Sequence, residues 1–596
     1  MFSLKGTIIL YFHNLKFDGS FILDYLLNHE YQQAYSEESG WLPTKEMPRK
    51  SFRYLISDMG QWYTIMIKNV DGKLIEIRDS LKLLPFSLRE IGKGFKTKHQ
   101  KLEMEYTGFR YPNCHISEEE KRYIENDVLV LKEGLEIMFK DGHSKLTIGS
   151  CCLVEFKKTL LLGKEDYKNF FPNLYEIPID KETYGVDSIG EFCRRSYKGA
   201  WCYLKKGCEN TLYKYGCTND VNSLYPSMMH SESGNYYPIG EPTLWSGNYI
   251  PKEALTNNRF YFIKVTTKFH IKPNHLPCIQ IKKDKRYKSN EWLETSDIFY
   301  NGKYYSKIEL LTGEIQDIYV TLYLTMIDWE LINKHYELTD TTIDCGMWFE
   351  TEIGLFDDYI NIYRKIKMNS EGAKRTEAKL FLNNLYGKMA TSPDSSYKTA
   401  YLNENKIVAF NTVEAADKVP GYIPIGAAIT AYARRFTITA AQANYENFVY
   451  ADTDSIHCTC APSEVKGITI HPTKFCCWKT ESTWDEGIFI RQKTYIEHVI
   501  EEDLEPCEPH YNVKAAGLPA KSNFLLNKSL DYNKDKKLEI SEELKIAYKI
   551  NEDDIKWIKE KHTPKDFKKG FTIRGALKQK RIKGGVRLYE KDYVMR

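Results

Sequence analysis

Three aspartates in two separate segments have the residue type and spacing to hold divalent cations. Asp220 follows a strand-like stretch and precedes a turn, and Asp452 and Asp454 lie in segment 450–457, which is typical of a strand, a turn and a strand. Residues two apart on an extended chain share one face. Clustered carboxylates are ligands that Mg²⁺ prefers, and two such ions could activate a 3′-hydroxyl and stabilise a leaving pyrophosphate. An aspartate that caps a turn is the commoner explanation of either segment alone, but both together favour a metal site.

Between these acids, segment 375–388 predicts a helix with a cationic stripe. Arg375, Lys379 and Asn383 are spaced by four residues, so they share one face, while apolar residues on the other faces would pack the helix down. A lysine point charge and a forked arginine donor on one stripe suit a triphosphate. The alternative for this segment alone is an ordinary amphipathic surface helix.

Composition and charge limit the class of protein. The chain has 596 residues, of which 42% are hydrophobic and 28% charged, with a net charge of +3. These values are typical of a soluble globular protein with several domains, and neither a signal peptide nor a transmembrane segment is recognised. Basic residues concentrate at 364–388 and from 565 onward, which favours phosphate contacts near the predicted site. The cysteines include no CxxC pair, so the spacing typical of a zinc site is absent.

Three segments resemble motifs A, B and C of family B DNA polymerases. They are DVNSLYPS at 220–227, KLFLNNLYGK at 379–388 and YADTDSIH at 450–457. YFHNLKFDG, DSLKLLPF, YIENDVLVL, GLFDDYI and IRQKTY extend the resemblance to the protein-primed polymerases of small linear-genome phages, from about residue 10 to the C-terminus. This resemblance implies an α/β plus α+β multidomain fold, in which an RNase H-like 3′–5′ exonuclease domain precedes a right-hand polymerase with two insertions.

The resemblance also implies where each domain lies. The expected boundaries are 1–160 for the exonuclease-like domain, 185–231 and 425–520 for the palm, 232–354 for the first, terminal-protein-region insertion, 355–390 for the fingers, 391–424 for a second insertion that forms a β-hairpin, and 521–596 for the thumb. Segment 295–320 is additional to the family's pattern.

The resemblance assigns roles to the polar residues of the palm and fingers. Asp220 and Asp454 would bind two Mg²⁺ ions, with Mn²⁺ as the alternative metal; the carbonyl of Val221 would complete a metal shell, and Asp452 would support it. Tyr225 would lie under the incoming sugar and exclude a 2′-hydroxyl. The residues implied to bind the dNTP are Tyr225, Lys367, Arg375, Lys379, Asn383 and Tyr386.

Four further residues would contact DNA in the polymerase part. Lys493 and Tyr495 would hold the primer terminus, while Tyr197 and Gly199 belong to a YxGG-type segment that contacts the template. Ala200 replaces the second glycine of that segment. The basic C-terminal part would contact the duplex backbone, which gives salt-sensitive and sequence-independent binding.

The N-terminal part resembles a 3′–5′ exonuclease of the DEDD type. Asn14 and Asp18 match its second motif, Tyr123 and Asp127 match its third, and Lys101 lies where the group has a catalytic lysine. Residues implied to hold single-stranded DNA are Ser80 and Leu81. The family's first motif, an Asp-x-Glu, should lie tens of residues before Asn14, and the residues that precede Asn14 include no acid. We therefore expect that the chain as given lacks two metal ligands and the first strands of this domain, and that its exonuclease is impaired.

The function implied is a DNA-directed DNA polymerase that replicates a linear phage or plasmid genome with strand displacement. Expected partners are primer–template DNA, dNTPs and a terminal protein. The chain would act as a monomer or as a heterodimer with that terminal protein. It would work in the cytoplasm of a host cell, away from membranes. A reverse transcriptase or RNA polymerase is disfavoured because motif C has the YxDTDS form. A decayed, non-catalytic DNA-binding or priming protein is disfavoured because the aspartates and both triphosphate lysines are present.

Overall fold

The first 160 residues contain a five-stranded sheet with helices beside it. The structure is a computed structural model that describes residues 6–36, 40–104, 114–160, 163–282, 284–415 and 418–595. The elements of this part are β1 (Ile8–Phe12), α1 (Leu15–Asn28), β2 (Gln32–Gln33), β3 (Tyr35–Ser36), β4 (Gly40–Trp41), β5 (Ser51–Ile56), β6 (Trp62–Lys68), β7 (Leu74–Asp79), α2 (Leu88–Phe95), α3 (Glu118–Lys140) and α4 (Ile148–Thr159). The sheet order is β1-β7-β6-β5-β2, with β1 parallel to β7. Helices α2 and α3 begin at Ser87 and Ser117, each of which forms a capping box with a glutamate three residues later.

Residues 163–352 contribute three strands to a central sheet and form all of another sheet. The elements are α5 (Lys164–Phe170), α6 (Lys181–Tyr184), α7 (Ile189–Ser196), β8 (Cys202–Leu204), β9 (Leu212–Tyr213), β10 (Gly216–Val221), α8 (Leu224–Met229), β11 (Tyr237–Ser246), β12 (Arg259–Ile271), β13 (Ile298–Tyr300), β14 (Lys303–Tyr305), β15 (Lys307–Glu309), β16 (Ile315–Asp317), β17 (Val320–Thr325), α9 (Met326–His335) and β18 (Tyr336–Glu352). Strands β11-β18-β12-β17 form a four-stranded sheet in that order. The additional segment forms two hairpins, β13–β14 and β15–β16, with exposed residues such as Phe299, Tyr300 and Leu311.

Three helices and a hairpin follow this second sheet. They are α10 (Asp357–Asn369), α11 (Gly372–Met389), β19 (Ser395–Leu402), β20 (Val408–Ala415) and α12 (Ile423–Ala443). Sixteen of the 21 residues of α12 are buried, which is typical of a central core helix because its small and apolar residues occur on every face. Ala400 and Val408 of the hairpin pack in the same apolar cluster as Phe52 and Trp62 of the N-terminal sheet, so the hairpin lies against that sheet.

The central sheet joins strands that are far apart in sequence. Its later strands are β21 (Phe448–Asp452), β22 (Ser455–Cys458), β23 (Trp478–Arg491), β24 (Thr494–Glu502) and β25 (Glu505–Ala515). The order is β25-β24-β23-β10-β22-β21-β8, and β9 pairs with β23. Strand β10 therefore lies between β22 and β23, so that residues near 220 meet residues near 455 and 479.

The C-terminal part returns to the N-terminal sheet. It consists of α13 (Ala520–Asp535), α14 (Glu542–Tyr548), α15 (Glu552–Ile558), β26 (Thr572–Ile582) and β27 (Gly585–Val594). The backbone N–H of Gly584 donates to Asp24 Oδ1 of α1 at 3.2 Å, and the Arg581 guanidinium lies 4.4 Å from the centroid of the Phe410 ring on β20. Gly585 has φ 140°, and a Cβ there would lie 2.2 Å from Phe21 Cδ1, so this close contact with α1 requires glycine. Within the described part of the chain, no helix is both long and apolar enough to cross a membrane.

A buried polar contact joins the N-terminal helices to α11. His143 Nδ1 contacts Glu377 Oε1, and the two side chains are 7% and 9% exposed. The His143 ring also packs on Phe381, with centroids 4.5 Å apart, and its Nε2 lies 3.9 Å from Glu155 Oε1 on α4. Because a buried carboxylate without a partner is costly, His143 stabilises the back face of α11.

Replacing His143 with leucine is expected to destabilise the protein by about 3 kcal/mol, since Glu377 then remains buried without its partner. The double variant His143→Leu/Glu377→Leu should recover most of this loss, because apolar side chains can replace a buried polar pair. Thermal unfolding followed by tryptophan fluorescence measures both, with Lys96→Ala as the control that breaks an exposed ion pair with Glu371. A double variant as unstable as the single one would contradict the assignment.

Candidate active site

Pairing of β10 with β22 brings Asp220 and Asp454 together. Asp220 lies opposite Ser455 in this antiparallel pair, and Asp454 occupies the turn between β21 and β22. The N–H of Val221 donates to the carbonyl of Asp454 at 2.8 Å, which ties the turn to the end of β10. Thr453 has φ 65°, a left-handed conformation that forms the tight turn. The structure thus brings two segments that are far apart in sequence together at these acids.

The environment of the two carboxylates disfavours their negative charges. Burial, followed by the nearby Asp454 and Glu481 carboxylates, raises the pKa of Asp220 to about 7. Burial also raises the pKa of Asp454, with further contributions from Asp452 and Glu481. Sequence analysis missed Glu481, because its proximity arises from the pairing of β23 with β10 and not from a local motif.

This donor set fits a hard divalent cation. Carboxylate oxygens are the ligands that Mg²⁺ prefers, and a cation would relieve the repulsion that raises the pKa of Asp220. In the described ranges, no group of three or more His, Cys, Asp or Glu residues converges to hold a metal by itself. The pair would therefore complete a metal shell with water, a backbone carbonyl and substrate oxygens, as Mg²⁺ commonly does.

Asp452 is oriented toward Lys493 by a network of hydrogen bonds. Lys493 Nζ lies 3.1 Å from Asp452 Oδ1, and the Tyr450 hydroxyl donates to Asp452 Oδ2 at 3.2 Å. The same hydroxyl accepts from the N–H of Lys493 at 2.8 Å. The Tyr495 ring packs on the Tyr450 ring, with centroids 5.3 Å apart. The two residues predicted to hold the primer terminus, Lys493 and Tyr495, are thus attached to the strand that carries Asp452.

A fully buried polar triad lies behind these acids. His457 Nδ1 is 2.7 Å from Glu497 Oε1, and Thr218 Oγ1 donates to the same oxygen at 2.9 Å. The rings of Tyr450 and Tyr495 surround His457, with centroids 5.2 and 5.0 Å away. The triad links β10, β22 and β24. Sequence analysis missed this triad, although His457 ends the segment YADTDSIH and Glu497 lies two residues after IRQKTY.

The predicted sugar-contacting tyrosine stacks on a residue of α11. The rings of Tyr225 and Tyr386 are 4.2 Å apart at an interplanar angle of 24°. Tyr225 belongs to α8, which begins just after the Asp220 turn, so this stack joins the acid-bearing strand to α11.

Four cationic side chains surround Lys367 of α10, two of which the sequence predicted to bind a triphosphate. Burial lowers the pKa of Lys367, and the charges of Lys379, Arg375, Lys479 and Arg364 lower it further. Arg375 Nη1 lies 3.5 Å from the carbonyl of Lys367. Asn383 is exposed on the same helix as Lys379 and Arg375. The structure therefore brings the predicted triphosphate residues together and adds Lys479, which the sequence analysis did not single out.

A buried arginine supports the segment predicted to contact the template. Arg434 of α12 donates to the carbonyls of Lys198 and Gly199 at 2.7 and 2.9 Å, and to Asp328 Oδ1 at 2.7 Å. A Cβ on Gly199 would meet no atom within 4 Å, so the structure gives no packing reason for glycine there. Tyr197, the neighbouring residue, receives the Arg194 guanidinium 4.8 Å from its ring centroid.

The exonuclease-like residues form two adjoining groups. In one, Lys101 Nζ contacts the Tyr123 hydroxyl and lies 2.5 Å from Asp127 Oδ2. Asp127 Oδ1 is buried and has no hydrogen-bond partner among the described residues. Burial raises the pKa of Asp18, with a smaller contribution from Asp79.

Asp79, which sequence analysis did not single out, organises the second group. Its Oδ1 accepts the N–H groups of Asn14 and Leu81, both at 3.1 Å, and Ser80 Oγ donates to the carbonyl of Phe12 at 2.9 Å. The predicted single-strand residues Ser80 and Leu81 are therefore adjacent to Asn14.

Comparisons with known proteins identify relatives over nearly the whole chain. The profile of the family described as DNA polymerase type B, organellar and viral, matches residues 4–114 and 103–469. The DNA polymerase of Bacillus phage phi29 is 34% identical over 599 residues, which cover 100% of this chain and 91% of that protein. The DNA polymerase of Streptococcus phage Cp-1 is 33% identical over 595 residues, with 99% and 88% coverage. A solved structure of phi29 DNA polymerase complexed with primer-template DNA and incoming nucleotide substrates superimposes with a TM-score of 0.77, at 32% identity, over 99% of this chain and 91% of that chain.

Asp220→Asn is expected to stabilise the metal-free protein at alkaline pH. Because the folded-state pKa of Asp220 is raised to about 7, its contribution to stability is lost as the pH rises toward and through that value. In EDTA at pH 8 we expect the variant to gain about 2 kcal/mol, and the gain should shrink toward pH 5. Thermal unfolding checks this, with the exposed Asp503→Asn as control, and Mg²⁺ should stabilise the wild type more than Asp220→Asn. A pH-independent difference between the two proteins would contradict the assignment.

Proposed function

The chain belongs to the organellar and viral type B DNA polymerases, of the phi29 type, and from that premise we propose that it extends DNA by two-metal nucleotidyl transfer from dNTPs in protein-primed replication. The observation that carries the mechanism is the placement of Asp220 and Asp454, two half-buried carboxylates, beside the cations around Lys367. Phi29 DNA polymerase is a relative solved with primer-template DNA and incoming nucleotide, which supports the same substrates for this chain.

Asp220 and Asp454 would hold two Mg²⁺ ions, with Mn²⁺ as the alternative, and the Val221 carbonyl would complete a shell. When bound, such ions activate the primer hydroxyl and stabilise the charge on the leaving pyrophosphate. The chain's own contribution is position: Asp452 orients Lys493, and Lys493 and Tyr495 would hold the primer terminus. Tyr197 and Gly199 would contact the template, since buried Arg434 holds the carbonyl of Gly199 in place.

Nucleotide selection would depend on the contact between α8 and α11. The Tyr225 ring is fixed against Tyr386, so it would form a rigid floor that leaves no room for a 2′-hydroxyl. Lys367, Arg375 and Lys379 would bind the triphosphate, and Asn383 would line the pocket for the new base pair. Because stacked rings restrict each other's rotation, discrimination would not require a closing movement of Tyr225 itself.

The positions of the strands and helices support the expected domains. Segments 185–231 and 425–520 both supply strands to the central sheet, which supports their assignment as the palm. Helices α10 and α11 lie within 355–390, the proposed fingers, and β19–β20 lies within 391–424, the proposed second insertion. We propose that 232–354 contacts a terminal protein and that 521–596 is the thumb. The contact between the C-terminal hairpin and α1 would help to enclose DNA and to separate its strands.

Asp454→Asn tests the polymerase mechanism. We expect primer extension with Mg²⁺ and dNTPs to fall about 1000-fold, because the amide keeps the size of the carboxylate but not its charge. Asp503→Asn, an exposed substitution on another turn, is the matched control and should extend primers like the wild type. Equal extension by Asp454→Asn and the wild type would overturn the metal-ligand assignment.

We also propose that 3′–5′ hydrolysis by this chain is impaired. Asp79 Oδ1 is taken up by two backbone N–H groups, so among the described residues Asp18 and Asp127 are the carboxylates of this site that remain to hold two cations. A primer with a mismatched 3′ end should therefore be shortened at least about 100-fold more slowly than a matched primer is extended. Rapid shortening by the wild type that Asp127→Ala abolishes would show instead that the site is active.

A further inference from the structure

Lys479 of β23 lies directly beside the metal-binding carboxylates in the sheet. It is the cross-strand partner of Asp220 in the antiparallel pair of β23 with β10. Opposite residues in such a pair project to the same face of the sheet, with Cβ atoms about 5 Å apart. The pairing register therefore places the amino-bearing side chain of Lys479 next to the Asp220 carboxylate.

The neighbours of this pair show which face it occupies. Asn219 and Thr480, the next pair along, are 0% and 4% exposed, and Thr480 Oγ1 donates to Asn219 Oδ1 at 2.9 Å. Val221 and Trp478, the pair on the other side, are each 1% exposed. Because strand residues alternate between faces, these four side chains lie in the core and Lys479 lies on the cleft side with Asp220.

The charge of Lys479 reaches both halves of the candidate site. It lowers the pKa of Asp220 and also lowers the pKa of Lys367 on α10. Lys479 is half-buried, and its ammonium makes no hydrogen bond or ion pair with any residue in the part of the chain that the structure describes. A half-buried ammonium whose hydrogen-bond donors are unused favours a bound anion.

The surrounding cations have few counter-charges of their own. Arg364 is paired with Glu232 at 3.1 Å, whereas Arg375 hydrogen-bonds to the Lys367 carbonyl. Lys367, Arg375 and Lys379 form no ion pair with any described residue. Together with Lys479, whose charge Asp220 offsets in part, they bring four cations to one side of the cleft, which suits a ligand that carries several phosphates.

We propose that Lys479 is a fourth cation of the triphosphate site, which binds phosphate oxygens of the incoming dNTP and of the pyrophosphate that leaves. The proposal rests on the proposed function. Unlike Lys367, Arg375 and Lys379, which lie on α10 and α11, Lys479 lies on the same sheet as the catalytic acids. It would therefore hold the phosphates from the palm side, whatever the position of those helices.

Single-nucleotide incorporation by Lys479→Ala tests this proposal. At saturating Mg²⁺ we expect the KM for dNTP to rise about tenfold while kcat changes less than about threefold, because a ground-state phosphate contact is lost. Pyrophosphorolysis at a fixed pyrophosphate concentration should slow by a similar factor. Lys479→Met keeps the length of the side chain and should behave like Lys479→Ala, whereas Lys479→Arg should recover most of the affinity.

Lys466→Ala, which removes an exposed lysine, is the matched control and should leave both values unchanged. The proposal would be overturned if Lys479→Ala left the KM for dNTP unchanged and lowered the Mg²⁺ concentration that gives half-maximal rate. That result would make Lys479 only a counter-ion of Asp220. Unchanged values for both substrates would also overturn the proposal. Failure of the proposed function would be seen in a different measurement: full primer extension by Asp454→Asn, or no primer extension by the wild type.

Discussion

The crowding of half-buried carboxylates governs the centre of this protein. Asp220 and Asp454 are brought together by the β10–β22 pairing, and partial burial raises the pKa of both. Repulsion adds to this effect, from Asp454 and Glu481 on Asp220 and from Asp452 and Glu481 on Asp454. A site of this kind has a strong affinity for cations because a bound ion removes the repulsion that folding created.

The compensating interactions lie directly behind and beside the acids. The buried triad of Thr218, His457 and Glu497 fastens three strands of the sheet, and Asp452 is neutralised by Lys493. On the far side of α12, Arg434 and Asp328 form a buried ion pair that also satisfies two backbone carbonyls. The triad and the Arg434–Asp328 pair are fully buried and hydrogen-bonded within the protein, so they fix the geometry of the cleft from behind.

Sequence predicted the parts of the site that depend on local spacing. Asp452 and Asp454, two apart on a hairpin, and Arg375 and Lys379, four apart on a helix, have their positions set by strand and helix periodicity. The fold class was confirmed because the motifs that carry the resemblance occur in order along the chain. No local rule relates Asp220 to Asp454, so their pairing was predicted from the occurrence of two acidic segments in one chain and from that resemblance.

The residues that sequence missed depend on long-range register. Glu481 and Lys479 are near Asp220 because of how β23 pairs with β10, including a bulge between Thr218 and Asn219, and a shift of one residue would reverse their faces. His143, between α3 and α4, and Glu377 of α11 belong to no motif and lie 234 residues apart, yet they meet in the core. Composition was equally uninformative, since a net charge of +3 averages the acids of the palm sheet against the cations around Lys367. The separation of these charges across one cleft, and not their sum, is what would suit the site to the metal-bound triphosphate that we propose.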